Sequence, residues 1–179
     1  MIDPVTLQRW FNAGLFVLVA ALVIFVRMLP LSDSPGGMPP PDLILLIGFA
    51  WVLRRPDFVP ALLFAAVLLL VDLLFLRPPG LAVALAVAGL EFLRGRVNLL
   101  REQAFSIEWL TVAGVLIAVA LGERIVYAVF FVPQIALESA LAGLVINILA
   151  YPLVVGVSVW ALGVRRLAPG EHAAEAGLV

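Results

Sequence analysis

A few charged side chains stand inside otherwise apolar stretches, and they are the residues of this chain best placed to do chemistry. Asp72 lies late in one apolar run, and Glu123 and Arg124 are neighbours in another. A charge in such surroundings is paired, lies near an end, or serves a function such as a proton relay or a ligand contact. For Asp72 we favour a structural carboxylate that accepts hydrogen bonds inside a bundle, with proton relay and ligand contact as the alternatives.

The other polar candidates have spacings that favour structural contacts. Glu91 and Arg94 are three residues apart, so on a helix they share a face and can pair. Glu123 and Arg124 are adjacent, which separates them by about 100° around a helix and predicts different partners within the bundle or on a partner helix. Asn147 is an isolated amide, and in a membrane helix such a residue usually forms an interhelical hydrogen bond.

The chain lacks the side chains that most catalytic and metal sites need. It has no cysteine, and its single histidine, His172, lies in a polar C-terminal stretch. No HExxH, GxSxG or phosphate-loop motif occurs, and no cluster of carboxylates suits a divalent metal. The net charge of −1 offers no basic surface to nucleic acid. We therefore predict a non-enzyme that uses no cofactor and no metal and binds no nucleic acid.

The elements that position these side chains are predicted to be membrane helices. Apolar residues make up 64% of the 179 positions, charged residues only 13%, and the mean hydropathy is +1.18. These values indicate an all-α integral membrane protein that forms one compact bundle. Its six transmembrane helices are predicted at about 10–28, 41–54, 58–76, 80–94, 108–132 and 135–164, followed by a short cytoplasmic tail over 167–179, expected to be disordered.

Three features of this layout bear on the site. The second and fourth runs are short for a full span, and the polar stretch from Arg94 to Glu108 suits an amphipathic elbow at the membrane surface. The fourth run is rich in small residues at four-residue spacing, which predicts a central helix with close neighbours on two faces; these residues are Gly80, Ala84 and Ala88 on one face and Ala82 and Ala86 on the other.

The arginines predict the orientation. Eight of the eleven fall in the terminal and connecting segments on one side of a six-span layout, and two, Arg27 and Arg77, fall on the other. Cytoplasmic loops carry the excess of basic residues, so both termini are predicted to be cytoplasmic. The absence of lysine and the abundance of alanine, glycine and proline suggest a bacterial coding sequence.

The second to fourth runs resemble a known family. Pro41-Asp42-Leu43 opens a short apolar helix with Trp51 near its end, and Phe64, Leu70-Val71-Asp72-Leu73 and Gly80-Leu81 follow. These residues are similar to those of the rod shape-determining protein MreD family, most clearly from about Pro39 to Arg96. The loop Leu76-Arg77-Pro78-Pro79-Gly80 departs from the family, which often carries glycines there.

The resemblance implies a non-enzymatic scaffold of the bacterial cell-elongation machinery in the inner membrane. Such a scaffold binds MreC and helps to position the peptidoglycan synthases RodA and a class B penicillin-binding protein, with MreB filaments on the cytoplasmic side. The alternative is a small-molecule-binding S subunit of an energy-coupling-factor vitamin transporter, since MreD-like chains resemble these S subunits in architecture. The candidate partner or bundle-fixing contacts are Asp42, Trp51, Asp72, Arg77, Gly80, Glu91, Arg94, Glu123, Arg124 and Asn147.

Overall fold

The computed structural model of the protein describes residues 4–29 and 39–160, with side chains from Phe11 onward. This part of the chain is helical and contains no strand. The predicted tail over 167–179, the last residues of the sixth predicted span and most of the Pro-rich segment after the first span lie outside the described residues. The helices are α1 (Pro4–Met28), α2 (Leu43–Arg54), α3 (Ala61–Leu74), α4 (Leu81–Gly95), α5 (Val97–Arg101), α6 (Phe105–Val129) and α7 (Leu137–Trp160).

Within the described residues, three helices are long and apolar enough to cross a membrane: Phe11–Met28 of α1, all of α6 and all of α7. The 25 residues of α6 extend over about 37 Å, which exceeds a hydrocarbon core of about 30 Å. The protein is therefore a helical membrane protein by length and composition. The apolar helices α2 and α3 have only 12 and 14 residues, or roughly 18 to 21 Å.

Prolines and a left-handed residue make α3 shorter than the predicted 58–76. Pro56–Phe58 forms a turn of 3₁₀-helix before it, and the helix itself begins at Ala61. It ends because Leu76 takes a φ of 52°, which lets the Arg77 N–H reach back to the Asp72 carbonyl at 2.9 Å. This backbone pattern satisfies carbonyls that the end of a helix leaves free.

The predicted elbow between Arg94 and Glu108 holds more helix than expected. Within it α5 buries Val97 and Leu100 against the core, and α6 already begins at Phe105. The first helix also starts earlier than the predicted residue 10, at Pro4. These segments extend the helices because their apolar residues recur at helical spacing among the charges.

The core is built around α2, which contacts α1, α3, α4, α5 and α7. Its side chains from Phe49 to Val52 are completely buried, and the Trp51 ring meets the ring of Phe16 edge-on at 5.9 Å. The central position predicted for the fourth helix is confirmed, because α4 packs against α2, α3 and α6.

The expectation that both small-residue faces of α4 pack closely against neighbouring helices was wrong, because only one of them does. The face with Ala82 and Ala86 points inward, and an added Cβ at Gly89 would lie 2.7 Å from Val115 of α6. Ala84 and Ala88, on the other face, are exposed. Because α3 and α6 flank α4 on its inward side, nothing in the described part of the chain covers this second row.

Candidate functional site

A partly open cavity of about 530 Å³ gathers most of the charged side chains that the sequence singled out. It lies among α2, α3, α4, α6 and α7, at the end of the bundle where α2 and α4 begin and α3 and α6 finish. We call it the mixed-charge cavity because, among the described residues, three acidic and three basic side chains line it: Asp42, Asp72, Glu123, Arg27, Arg77 and Arg124.

Asp42 ties three elements together at the mouth of this cavity. It caps the N-terminus of α2, where its Oδ1 accepts a hydrogen bond from the Leu45 N–H at 3.4 Å. An aspartate suits this position because it satisfies a backbone donor that the first turn of a helix leaves free. Its own N–H donates to Oδ1 of Asn147 on α7 at 2.7 Å, and its Oδ2 lies 3.6 Å from Nη1 of Arg77.

Asp72 and Arg77 bracket the end of α3. The Asp72 side chain is buried, and its Oδ2 accepts a hydrogen bond from the Gly80 N–H at 3.5 Å. Gly80 has a φ of 102°, a conformation that side-chain-bearing residues rarely adopt, so glycine is needed there to turn this N–H toward the carboxylate. This contact agrees with the structural role favoured for Asp72, while its place in the cavity wall also fits a ligand contact.

One turn of α6 supplies the opposite wall. Glu123 and Tyr127 are four residues apart, so they share one face of α6, and both line the cavity. The Arg124 carbonyl accepts a hydrogen bond from Nε2 of Gln134 at 3.2 Å. Nη1 of Arg124 is buried without a hydrogen-bond partner among the described residues. Glu123 and Arg124 both line this one cavity, and the expectation that they reach different partners stays a prediction.

The cavity combines these charges with an apolar interior. Leu68, Val71, Leu116, Val119 and Leu144 contribute the apolar part of its lining. Its volume lies within the range of about 300–1,000 Å³ typical of sites for small molecules. The arrangement can hold a ligand by hydrogen bonds and charge, and within the described residues no group of three or more histidine, cysteine or acidic side chains could hold a metal ion.

Two other predicted contacts are present away from this cavity. Arg94 Nη1 donates to Oε1 of Glu91 at 2.6 Å, as predicted, and its Nη2 donates to the Val59 carbonyl at 2.5 Å. Trp51 lies in the core, where its Nε1 donates to the Ser158 hydroxyl at 3.0 Å. These residues join α4 to the connection before α3 and α2 to α7, so their role in the structure is to fix helices.

A second polar cluster, at the opposite end of the bundle, was not predicted. Arg54 of α2 donates to Glu108 of α6 with Nη1–Oε1 and Nη2–Oε2 distances of 2.8 and 3.4 Å. The Tyr151 hydroxyl of α7 donates to the same Oε1 at 2.5 Å. All three side chains are buried. The sequence gives only a weak indication of this cluster. Arg54 and Glu108 lie beside other charged residues that mark helix ends, and Tyr151 lies in an apolar run.

Comparison with protein-family models, with curated proteins and with solved structures finds no match for this chain. The candidate site is therefore interpreted from its own residues and geometry.

Proposed function

We propose that this protein is an MreD-like, non-enzymatic scaffold of the bacterial cell-elongation machinery, located in the inner membrane. The observation that supports the proposal is that the residues on which the MreD resemblance rests hold the helices of the bundle together. Trp51 and Phe64 are completely buried in the core, Asp42 joins α2 to α7, and Asp72 receives the Gly80 N–H. Such residues suit a family whose common feature is a bundle shape rather than a catalytic centre.

The proposed topology has six spans, with the short α2, α3 and α4 crossing beside the three long helices, as in S subunits of energy-coupling-factor transporters. Two sets of contacts support it. Arg27 and Arg77 both reach the start of α2, where Nη2 of Arg27 donates to the Pro41 carbonyl at 2.7 Å. Arg54 and Arg94 meet Glu108 and Val59 at the opposite end. With the arginine-rich end in the cytoplasm, both termini are cytoplasmic.

The proposed partner is the membrane helix of MreC, and the proposed docking surface is the outward row of α4. Ala84, Ala88, Glu91 and Gly95 are all exposed, and their spacing of four, three and four residues puts them on one helix face. Helices in membranes associate by close packing over small residues, so this face would admit a second helix at short distance. RodA, the class B penicillin-binding protein and MreB would join directly or through MreC.

Bulky substitutions on this face of α4 test whether MreC docks there. In a chain carrying Ala84→Leu and Ala88→Leu, co-purified MreC is expected to fall about tenfold, the equivalent of about 1.4 kcal/mol of binding. The matched control is Ala118→Leu, an equally small and exposed position on α6. Normal MreC recovery with the α4 variant would contradict docking at this face.

The polar residues of the mixed-charge cavity are proposed to hold the bundle in the shape that MreC binds. Alanine variants of Asp72, Glu123 and Arg124 should therefore weaken MreC co-purification, and unchanged recovery for all three would argue against this tuning role. In the cell, depletion should round or swell the cells and delocalise wall synthesis. Unchanged cell shape after depletion would contradict the scaffold proposal.

The second candidate function is that of an S-type subunit that binds a vitamin-like small molecule. The observation that favours it is the convergence of Asp72, Glu123, Arg124 and Asn147 on one cavity of suitable size. Under this hypothesis, depletion would leave cell shape unchanged and reduce growth only when the vitamin is scarce. A small molecule retained through gentle purification and identified by mass spectrometry would support it.

A further inference from the structure

The balance of charge in the mixed-charge cavity limits what it can bind. Asp42, Asp72 and Glu123 oppose Arg27, Arg77 and Arg124, so the formal charge of the lining contributed by the described residues is zero. A ligand with one sign of charge would meet repelling groups on part of this wall. A net-neutral ligand that carries both signs can face an opposite charge on each side.

The partners already made inside the protein show which charged groups are available. Asp42 and Arg77 face each other, and Arg27 donates to the Pro41 carbonyl. Glu123 shares its helix face with the neutral Tyr127, and Asp72 accepts one backbone N–H. Arg124 differs from these, because its buried Nη1 has no acceptor within the described residues. A buried donor without an acceptor costs free energy, which a ligand oxygen would recover.

We propose that the mixed-charge cavity binds a zwitterion. Arg124 holds its anionic group, the carboxylates of Glu123 and Asp72 hold its ammonium group, and a short apolar body faces Leu116 and Leu144. Charge-assisted hydrogen bonds of this kind are roughly twice as strong as neutral ones, so they fix the ligand's orientation as well as its affinity. The site rests on the cavity alone and is independent of the MreC proposal.

Two sources supply this chemistry. A free amino acid with an apolar side chain carries a carboxylate and an ammonium on one carbon, and it is small enough for a cavity of about 530 Å³. The headgroup of phosphatidylethanolamine carries a phosphate and an ammonium two carbons apart, and it would enter from the membrane with its acyl chains outside. The experiment separates these sources by using both as probes.

The test measures dissociation constants on the full chain in a non-ionic detergent, by native mass spectrometry or calorimetry. The free-molecule probes are L-leucine, 4-methylpentanoate, which lacks its amine, and isopentylamine, which lacks its carboxylate. The lipid probes are dioctanoyl phosphatidylethanolamine and dioctanoyl phosphatidylglycerol, whose headgroup has no ammonium. In at least one set, the zwitterion is expected to bind about tenfold or more tightly than its single-charge analogues.

The variants Arg124→Gln and Glu123→Gln should each weaken binding of that zwitterion about tenfold or more. Glu138→Gln is the matched control, since Glu138 is exposed and does not line the cavity. The proposal would be overturned if a single-charge analogue bound as tightly as the zwitterion in both sets, if both variants bound the zwitterion unchanged, or if neither zwitterion bound. The ranking of the probes' dissociation constants on the unmodified chain tests the proposal even if a variant fails to fold. If the unmodified chain recovered no MreC but bound the zwitterion normally, only the scaffold proposal would be contradicted.

Discussion

At the scale of single residues, substitutions in the buried cluster of Arg54, Glu108 and Tyr151 are predicted to destabilise the fold. Glu108→Gln removes the carboxylate from a buried guanidinium, and the side chains of this pair are only 4% and 0% exposed. Loss of one partner of a buried pair costs about 3–5 kcal/mol, because the remaining charge is left uncompensated. Tyr151→Phe removes one hydrogen bond to a charged acceptor and should cost about 1.5–3 kcal/mol. Reversible unfolding in mixed micelles measures both.

A double variant tests whether the buried charges themselves contribute to stability. Replacing both partners, with Arg54→Met and Glu108→Leu, removes the buried charges together, and such replacements are often neutral or stabilising. The double variant should therefore be more stable than Glu108→Gln alone. If it were the less stable of the two, the cluster would contribute more than a compensated pair.

At the scale of helices, the contact between α4 and α6 depends on the absence of a side chain. A Cβ at Gly89 would lie 2.7 Å from Cγ1 of Val115 and 3.2 Å from Cζ of Phe49. Gly89→Ala should cost about 1–3 kcal/mol through overpacking. Adding Val115→Ala frees the space and should recover part of this loss, since neighbouring substitutions couple. Gly114→Ala, next to Val115 but with no neighbour within 4 Å of the new Cβ, is the control. It should be neutral or slightly stabilising.

The helices show how far the sequence predicts this fold. Apolar length alone locates α1, α6 and α7, because a run of about 20 apolar residues has few alternatives to a membrane helix. Asn147 was predicted to bond between helices, and it does so with the Asp42 N–H. The convergence of Asp42, Asp72 and Arg124 could not be predicted, because it depends on which helix ends meet. The Glu108 cluster was missed because a charge beside a helix start usually faces water.

At the scale of the whole molecule, the number of crossings decides where the loops lie. With six spans, the α3–α4 and α6–α7 loops share one side, and the α5–α6 connection lies on the other. If only the three long helices crossed, the α3–α4 loop and the α5–α6 connection would share a side, and the α6–α7 loop would lie opposite both. The cavity supports the first arrangement, because Pro78 and Pro133 both line it.

The chain has no cysteine, so single cysteines report these sides without background. Pro79→Cys, Ala136→Cys and Glu102→Cys place a thiol at three exposed positions, one in each connection. In intact cells, a membrane-impermeant maleimide should label the first two and label the third only after permeabilisation, because the arginine-rich end is proposed to face the cytoplasm. Labelling of Pro79→Cys together with Glu102→Cys, but not Ala136→Cys, would reduce the crossings to three. The mixed-charge cavity would then no longer have both of its loops on one side of the membrane.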